Sequence, residues 1–297
     1  MKVGMLLNVN NHTVDPGTLA RGVEAAGFES LWVGDHPVIP VSTTTPMQGT
    51  GEAQIPEAYA HVSDPFVALA MGAAATSTLK LGTGICIVTA RNPILTALQA
   101  ATLDWFSQGR LLFGVGAGWL QEELELLGAD YPNRLGQARE YIEAIRSLWT
   151  DPARPFNGRW ISFPPVHLNP RPAQPGGPAV LLGTWGPKAP ARVAEWADGW
   201  LPMLLSPEEL AAQMQRLREE CEKRNRDVES LEVTVFEYDP GGNRAESQDL
   251  LSRYSEAGAH RLVVIQGLGD HMGSTEWGVW TPDRFDAELE RVASRFV

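Results

Sequence analysis

Residues 81–119 read LGTGICIVTARNPILTALQAATLDWFSQGRLLFGVGAGW. Two apolar runs, Leu81–Val88 and Leu111–Val115, each end in a turn of glycine or small polar residues. Runs that are apolar without alternation suit strands covered on both faces, as in a parallel sheet. Between them, Pro93 to about Ser107 carries Leu95, Leu98, Ala101 and Leu103, which predicts a helix with those residues on its apolar face. Strand, crossover helix and strand make a βαβ unit. Its chemistry is expected at the C-terminal ends of the strands, here Thr89–Asn92 and Gly116–Trp119.

Outward from this unit the alternation continues. Val3–Leu7 and Ser30–Gly34 read as strands, followed later by Ala179–Leu182, Trp200–Leu204, Leu231–Phe236 and Leu262–Ile265, eight in all. Helix starts are marked by a capping side chain before a proline at Asp15-Pro16, Asp64-Pro65, Asn92-Pro93, Ser206-Pro207 and Thr281-Pro282. Ser206 with Glu209 adds a capping box. Further helices are expected over Gln121–Leu127 and Arg134–Trp149 and from near Pro187 and Ala245. Eight strand–helix units predict an α/β protein, a closed (β/α)8 TIM barrel forming one domain over residues 1–297. An open doubly wound sheet would not need eight. Two insertions interrupt the repeat. Pro37–Val62, after strand two, is long for a connecting loop and reads as a cover on the substrate side. Asp151–Pro178 follows strand four and its helices; its Phe156-Asn157-Gly158-Arg159-Trp160 predicts a small hairpin turning at Asn-Gly.

Composition removes several function classes. Hydrophobic residues make up 43% of the chain and charged residues 20%, enough for a large core. The net charge is −12 and the basic residues are dispersed, which argues against a nucleic-acid partner. No apolar run reaches the length of a membrane span, and MKVGMLL enters a strand pattern without a cleavable small-residue site, so a cytoplasmic location is expected. Cys86 and Cys221, the only cysteines, read as packing or surface residues rather than a disulfide framework or zinc site.

The candidate chemistry lies at strand ends. Gly114-Val115-Gly116-Ala117-Gly118-Trp119 is either a tight turn or a place where backbone comes close to a flat or anionic ligand. Gly183-Thr184-Trp185-Gly186-Pro187-Lys188 opens a helix, so its N–H groups, the Thr184 hydroxyl and Lys188 suit a phosphate; a plain turn is the alternative. Asp35-His36 ends strand two, where His36 could exchange protons and Asp35 orient it. His12 and His61 are lesser candidates on the same rim, and Trp119 and Trp185 could shape a pocket for a flat ring. His167, His260 and His271 read as surface or structural, and Trp32, Trp105 and Trp149 as packing. No paired metal-ligand spacing, nucleophile elbow or Walker loop is present, so no metal site is expected.

Four segments together resemble a known family: GFESLWVGDHPVIP (27–40), SDPFVALAMGAAATSTLKLGTGICI (63–87), ARNPILTALQAATLDWFSQGRLLFGVGAGW (90–119) and GTWGPKAPARVAEWADGWLP (183–202). The set is similar to the bacterial-luciferase-like superfamily, and within it to the coenzyme F420-dependent oxidoreductases. It covers residues 1 to about 205 strongly. The resemblance implies a deazaflavin, with FMN as the alternative, bound at the strand C-termini, and a non-proline cis peptide at Gly84-Ile85 behind its ring. It places Gly116, Ala117 and Gly118 along the cofactor, Gly183 to Lys188 at its phosphate, and Asp35 and His36 beside ring and substrate. Trp119 stands where the sugar-phosphate dehydrogenase branch has a glutamate, which argues against sugar-phosphate oxidation and leaves His36 as the proton donor. The implied activity is hydride transfer to or from a small organic molecule, by a homodimer. An FMN-dependent monooxygenase and a non-catalytic flavin-binding protein are the alternatives within the superfamily.

Overall fold

A computed structural model describes residues 1–47, 55, 57–266 and 281–297. Eight parallel strands close into a barrel: β1 (Lys2–Leu7), β2 (Ser30–Val33), β3 (Lys80–Thr83, resuming at Cys86–Ile87), β4 (Leu111–Gly116), β5 (Val180–Leu182), β6 (Gly199–Trp200), β7 (Glu232–Tyr238) and β8 (Arg261–Ile265). The register Lys2↔Arg261 to Leu6↔Ile265 joins β1 to β8 and closes the ring. The break in β3 falls at the Gly84–Ile85 peptide, which is cis, as the resemblance implied. His271 and residues 48–54 and 56 of the first insertion lie outside the described residues.

The surrounding helices are α1 (Pro16–Ala25), α2 (Pro65–Ala75), α3 (Pro93–Phe106), α4 (Gln121–Leu126), α5 (Arg134–Thr150), α6 (Ala189–Trp196), α7 (Pro207–Glu222), α8 (Arg244–Glu256) and α9 (Pro282–Phe296). Side chains of Asp15, Asp64 and Asn92 cap the first turns of α1, α2 and α3, and Ser206 and Glu209 exchange the two bonds of a capping box. Thr281 precedes Pro282 but makes no side-chain cap bond. α6 begins two residues later than expected, because Gly186, at φ +81°, first forms a turn whose carbonyl accepts the Ala189 N–H. The expected strand over 200–204 pairs regularly only at Gly199–Trp200. Pro202 has no N–H to donate there, and the chain reaches β7 through single bonds from Phe236 N to Pro202 O and Leu204 N to Phe236 O.

The face of α3 differs from expectation. It buries Ala97, Ala100, Ala101 and Leu103, while Leu95, Leu98 and Trp105 are exposed. Small residues let the helix lie close to α5 and the sheet, which leaves the longer side chains outside.

The second insertion is strapped to the barrel's helices by carboxylates. Glu140 accepts the N–H groups of Arg159, Trp160 and Ile161 at 2.8, 2.6 and 3.0 Å, and Asp104 holds Gln174 through two bonds. The hairpin expected at Asn157-Gly158 exists, but its closing pair is Asn157↔Ser162, so the turn spans 158–161 around the Glu140 carboxylate. Among the described residues no helix is long and apolar enough to cross a membrane.

Side chains on alternate strand positions point inward and outward. The outward set, with the helices, makes the main core; the inward set of Trp32, Leu181, Leu201, Phe236, Val263 and Ile265 fills the barrel. Trp32 lies in the space left by Gly82, where a Cβ would collide with its ring. At the strand N-termini, fully buried Arg261 bonds Glu29 twice, Glu232 and Thr234, and stands 5.8 Å over the Trp32 ring. The barrel is thereby plugged from below.

Candidate active site

The inward alternation fixes the upper end as well. Two residues beyond Trp32, Gly82, Gly114 and Leu181, the chain places Gly34, Gly84, Gly116 and Gly183. Four neighbouring strands therefore end without a side chain over the barrel interior. A Cβ on Gly183 would collide with Ile85 Cδ1, and one on Gly116 would stand 3.3 Å from Ile85 Cγ2. Ile85 thus rises over a glycine floor, with Leu6, Met203 and Tyr238 across the interior from it. A side chain at 116 or 183 would press on Ile85, whose side chain takes the space the two glycines leave.

His36 stands at the edge of this floor. Its Nδ1 lies 2.9 Å from Glu123 Oε2, and the rings of Tyr59 and Trp119 meet it edge-on at 5.2 and 6.0 Å. The Glu123 side chain is 1% exposed, and its other oxygen accepts the Val38 N–H at 3.4 Å. Burial pushes the phenol of half-buried Tyr59 up to about 12.

Asp35 does not orient His36, which corrects the expectation from their adjacency. Both its oxygens are taken by Arg91, at 2.6 and 2.8 Å, and one also accepts the Ile87 N–H at 3.0 Å. Arg91 in turn pairs with Asp64, the cap of α2, at 2.9 Å. Burial works against the Arg91 charge, but the bonds and charge of Asp35 outweigh it and raise its pKa. Consecutive residues at a strand end point to opposite sides, so Asp35 turns towards β3 and the helices while His36 turns to the mouth.

Glu122, next to Glu123, holds the start of the first insertion. It accepts Thr44 N and Oγ1 at 2.5 and 2.8 Å and Thr45 N and Oγ1 at 3.1 and 2.7 Å. Burial raises its pKa, and these bonds together outweigh that, holding it at about 2. His12 and His61 come together edge-on at 5.2 Å. Ala117 is buried, and its carbonyl accepts Thr89 Oγ1. Gly118 has φ +72°, with Leu124 and Ile87 crowding the place of a Cβ. In the loop before α6, Thr184 is buried, its carbonyl accepts Trp200 Nε1, and its hydroxyl accepts Arg192 Nη1 at 3.5 Å. Trp185, Gly186, Pro187 and Lys188 are exposed. His260 lies away from the mouth, where its Nδ1 accepts the Val233 N–H, and His167 is exposed.

Sequence reading missed Glu123, Arg91, Tyr59 and Arg192. One signal was available for Glu123: it sits on the same helical stripe as buried Leu120 and Leu124, where a charge is out of place unless partnered.

The family model described as luciferase-like monooxygenase matches residues 8–238. The uncharacterized protein Rv0953c of Mycobacterium tuberculosis is 36% identical over 203 residues, 68% of this chain and 72% of the relative. Among solved structures, an F420-dependent secondary alcohol dehydrogenase, in complex with an F420–acetone adduct, aligns over 99% of both chains with a TM-score of 0.73 and 17% identity. A long-chain alkane monooxygenase aligns over 86% of this chain and 69% of its own with a TM-score of 0.64 and 16% identity. At those identities the structures attest to the shared barrel, while the family match rests on sequence over most of the length. The chain belongs to the bacterial luciferase-like family.

Proposed function

We propose that the protein is an oxidoreductase that transfers hydride between coenzyme F420 and a small organic substrate at the C-terminal mouth of the barrel. The observation that carries this reading is the pairing of His36 with buried Glu123 at the strand ends beside the glycine turns. A deazaflavin ring supplies or accepts the hydride when bound. Ile85 and Gly84 would back that ring, with Gly116, Ala117 and Gly118 along it. Gly183, Thr184, Trp185, Gly186, Pro187 and Lys188, joined by Arg192, would receive the anionic part. His36 would exchange the proton that accompanies the hydride, and Trp119, Tyr59, His12 and His61 would wall the substrate. Asp35 keeps a part in the site by anchoring the end of β2 through Arg91.

The family match and the closure of β1 on β8 support one domain over the chain. A homodimer is supported by α2 and α3, which pack together and leave Val67, Met71, Leu95, Leu98, Trp105 and Phe106 exposed. The second reading, an FMN-dependent monooxygenase, is favoured by the family description and the alkane monooxygenase neighbour.

Anaerobic titrations followed by tryptophan fluorescence separate the readings. Micromolar or tighter binding of F420 with weak FMN binding is expected. The reverse moves the protein to the monooxygenase reading, and binding of neither overturns both. With F420 bound and substrates screened as neutral ketones and alcohols, His36→Ala should lower kcat by roughly 10²–10⁴-fold while cofactor affinity holds. Tight F420 binding with no turnover across a broad panel would favour the non-catalytic binding protein instead.

A further inference from the structure

We propose that Glu123 is the positioning residue of the site: it fixes His36 as the Nδ1–H tautomer, so that Nε2 is the atom that exchanges a proton with the substrate. A carboxylate has only acceptor atoms, so the hydrogen in the 2.9 Å contact belongs to His36 Nδ1. The second ring nitrogen makes no hydrogen bond among the described residues, and the rings of Tyr59 and Trp119 meet the imidazole edge-on. Glu123 is almost wholly buried and has no arginine or lysine partner among the described residues. Burying a carboxylate without a cation is costly unless its neighbour can carry the compensating charge, and imidazole is the side chain that takes and releases a proton near neutrality.

The placement is built by α4. Its first turn presents two adjacent glutamates with divided tasks: Glu122 collects Thr44 and Thr45, and Glu123 reaches His36 and the Val38 N–H. The segment after His36 is thus fastened at Val38 and again at Thr44 and Thr45, and Asp35 is held by Arg91 just before it, so the backbone that carries the ring is anchored at both ends. The step this serves is one proton transfer. Nε2 gives its proton to the substrate oxygen as hydride reaches the adjacent carbon, C=O becomes CH–OH, and the imidazolium is left as the neutral Nδ1–H tautomer. In the oxidation direction Nε2 takes the proton back. This assignment rests on the reading above for the reaction, but the tautomer does not.

The test is ¹⁵N NMR of histidine-labelled, cofactor-free protein, with the His36 signals assigned by their loss in His36→Ala. The wild type should show Nδ1 protonated and Nε2 bare in the neutral ring. In Glu123→Gln the Val38 N–H can only donate, so the amide oxygen stays with it and the amide NH₂ faces Nδ1. Nδ1 must then accept, and the tautomer should invert. In turnover, Glu123→Gln should lower kcat roughly 10²-fold or more with KM within twofold and the melting midpoint unchanged. Glu123→Asp, still an acceptor, should keep the Nδ1–H tautomer and recover part of the rate. An uninverted tautomer in Glu123→Gln, or an inverted one with wild-type kcat, overturns the proposal. Inversion together with wild-type turnover in His36→Ala would instead strike the reaction reading and leave Glu123's hold on the ring intact.

Discussion

The two ends of the barrel use the same residue types to opposite effect. Below, Gly82 gives its space to the Trp32 ring, and buried Arg261 has its guanidinium spent on Glu29, Glu232 and Thr234. Above, Gly116 and Gly183 yield theirs to the tip of Ile85, a side chain free to rotate, and buried Glu123 has for its partner a histidine. A buried charge with every bond satisfied closes a fold. A buried carboxylate set against an imidazole instead places an acid–base side chain at the mouth.

The largest expected effect breaks the lower network. Arg261→Ala strands Glu29 and Glu232 beneath the barrel and should cost roughly 3–5 kcal/mol in urea unfolding. The upper counterpart, Glu123→Gln, keeps its shape and should leave the midpoint in place. Equal losses at the two ends would dissolve the distinction between them.

The second test sets glycine against glycine. Gly82→Ala drives a Cβ into the fused rings of Trp32, which the packed interior holds on every side. Overpacking there should cost at least about 1–3 kcal/mol. Gly183→Ala meets the tip of Ile85, a side chain free to rotate, so the fold should lose less. Ile85 must move into the space above the floor, and F420 affinity should fall by roughly tenfold or more, about 1.4 kcal/mol. A Gly183→Ala protein that binds as the wild type would show that the ring does not use this floor.

How far the sequence reached follows from the range of each interaction. Strand order and helix starts were legible because apolar runs and the Asp/Asn/Ser-Pro signals are local, and the glycine turns declare themselves within six residues. Leu95 and Leu98 were misassigned because their exposure depends on how closely α3 settles on its small residues, which periodicity does not weigh. The partner of His36 lies 87 positions away and that of Asp35 lies 56 away, so both depend on which loops meet over the closed barrel. Adjacency in sequence pointed to Asp35, and the alternation of a strand end placed it on the other side.

The smallest effect compares two carboxylates built alike at opposite ends. Glu24 accepts the N–H groups of Ser77, Thr78 and Leu79 and the Thr78 hydroxyl just before β3, as Glu122 accepts those of Thr44 and Thr45 above β4. For each, burial raises the pKa and the accumulated bonds more than offset it, so both are held at about 2 from an ordinary 4.5. A depressed carboxyl adds stability that is complete above its unfolded value and is lost as pH falls through the folded one. Both straps should therefore hold above pH 4.5 and loosen together towards pH 2, read by NMR as line broadening of the Thr44 and Thr45 amides and the Thr78 and Leu79 amides. Because both carboxylates are solvent-accessible, the gain from either is small and screened. If the Thr44–Thr45 amides loosened well above pH 4.5 while those at Thr78–Leu79 held, Glu122 would not be what fastens the mouth.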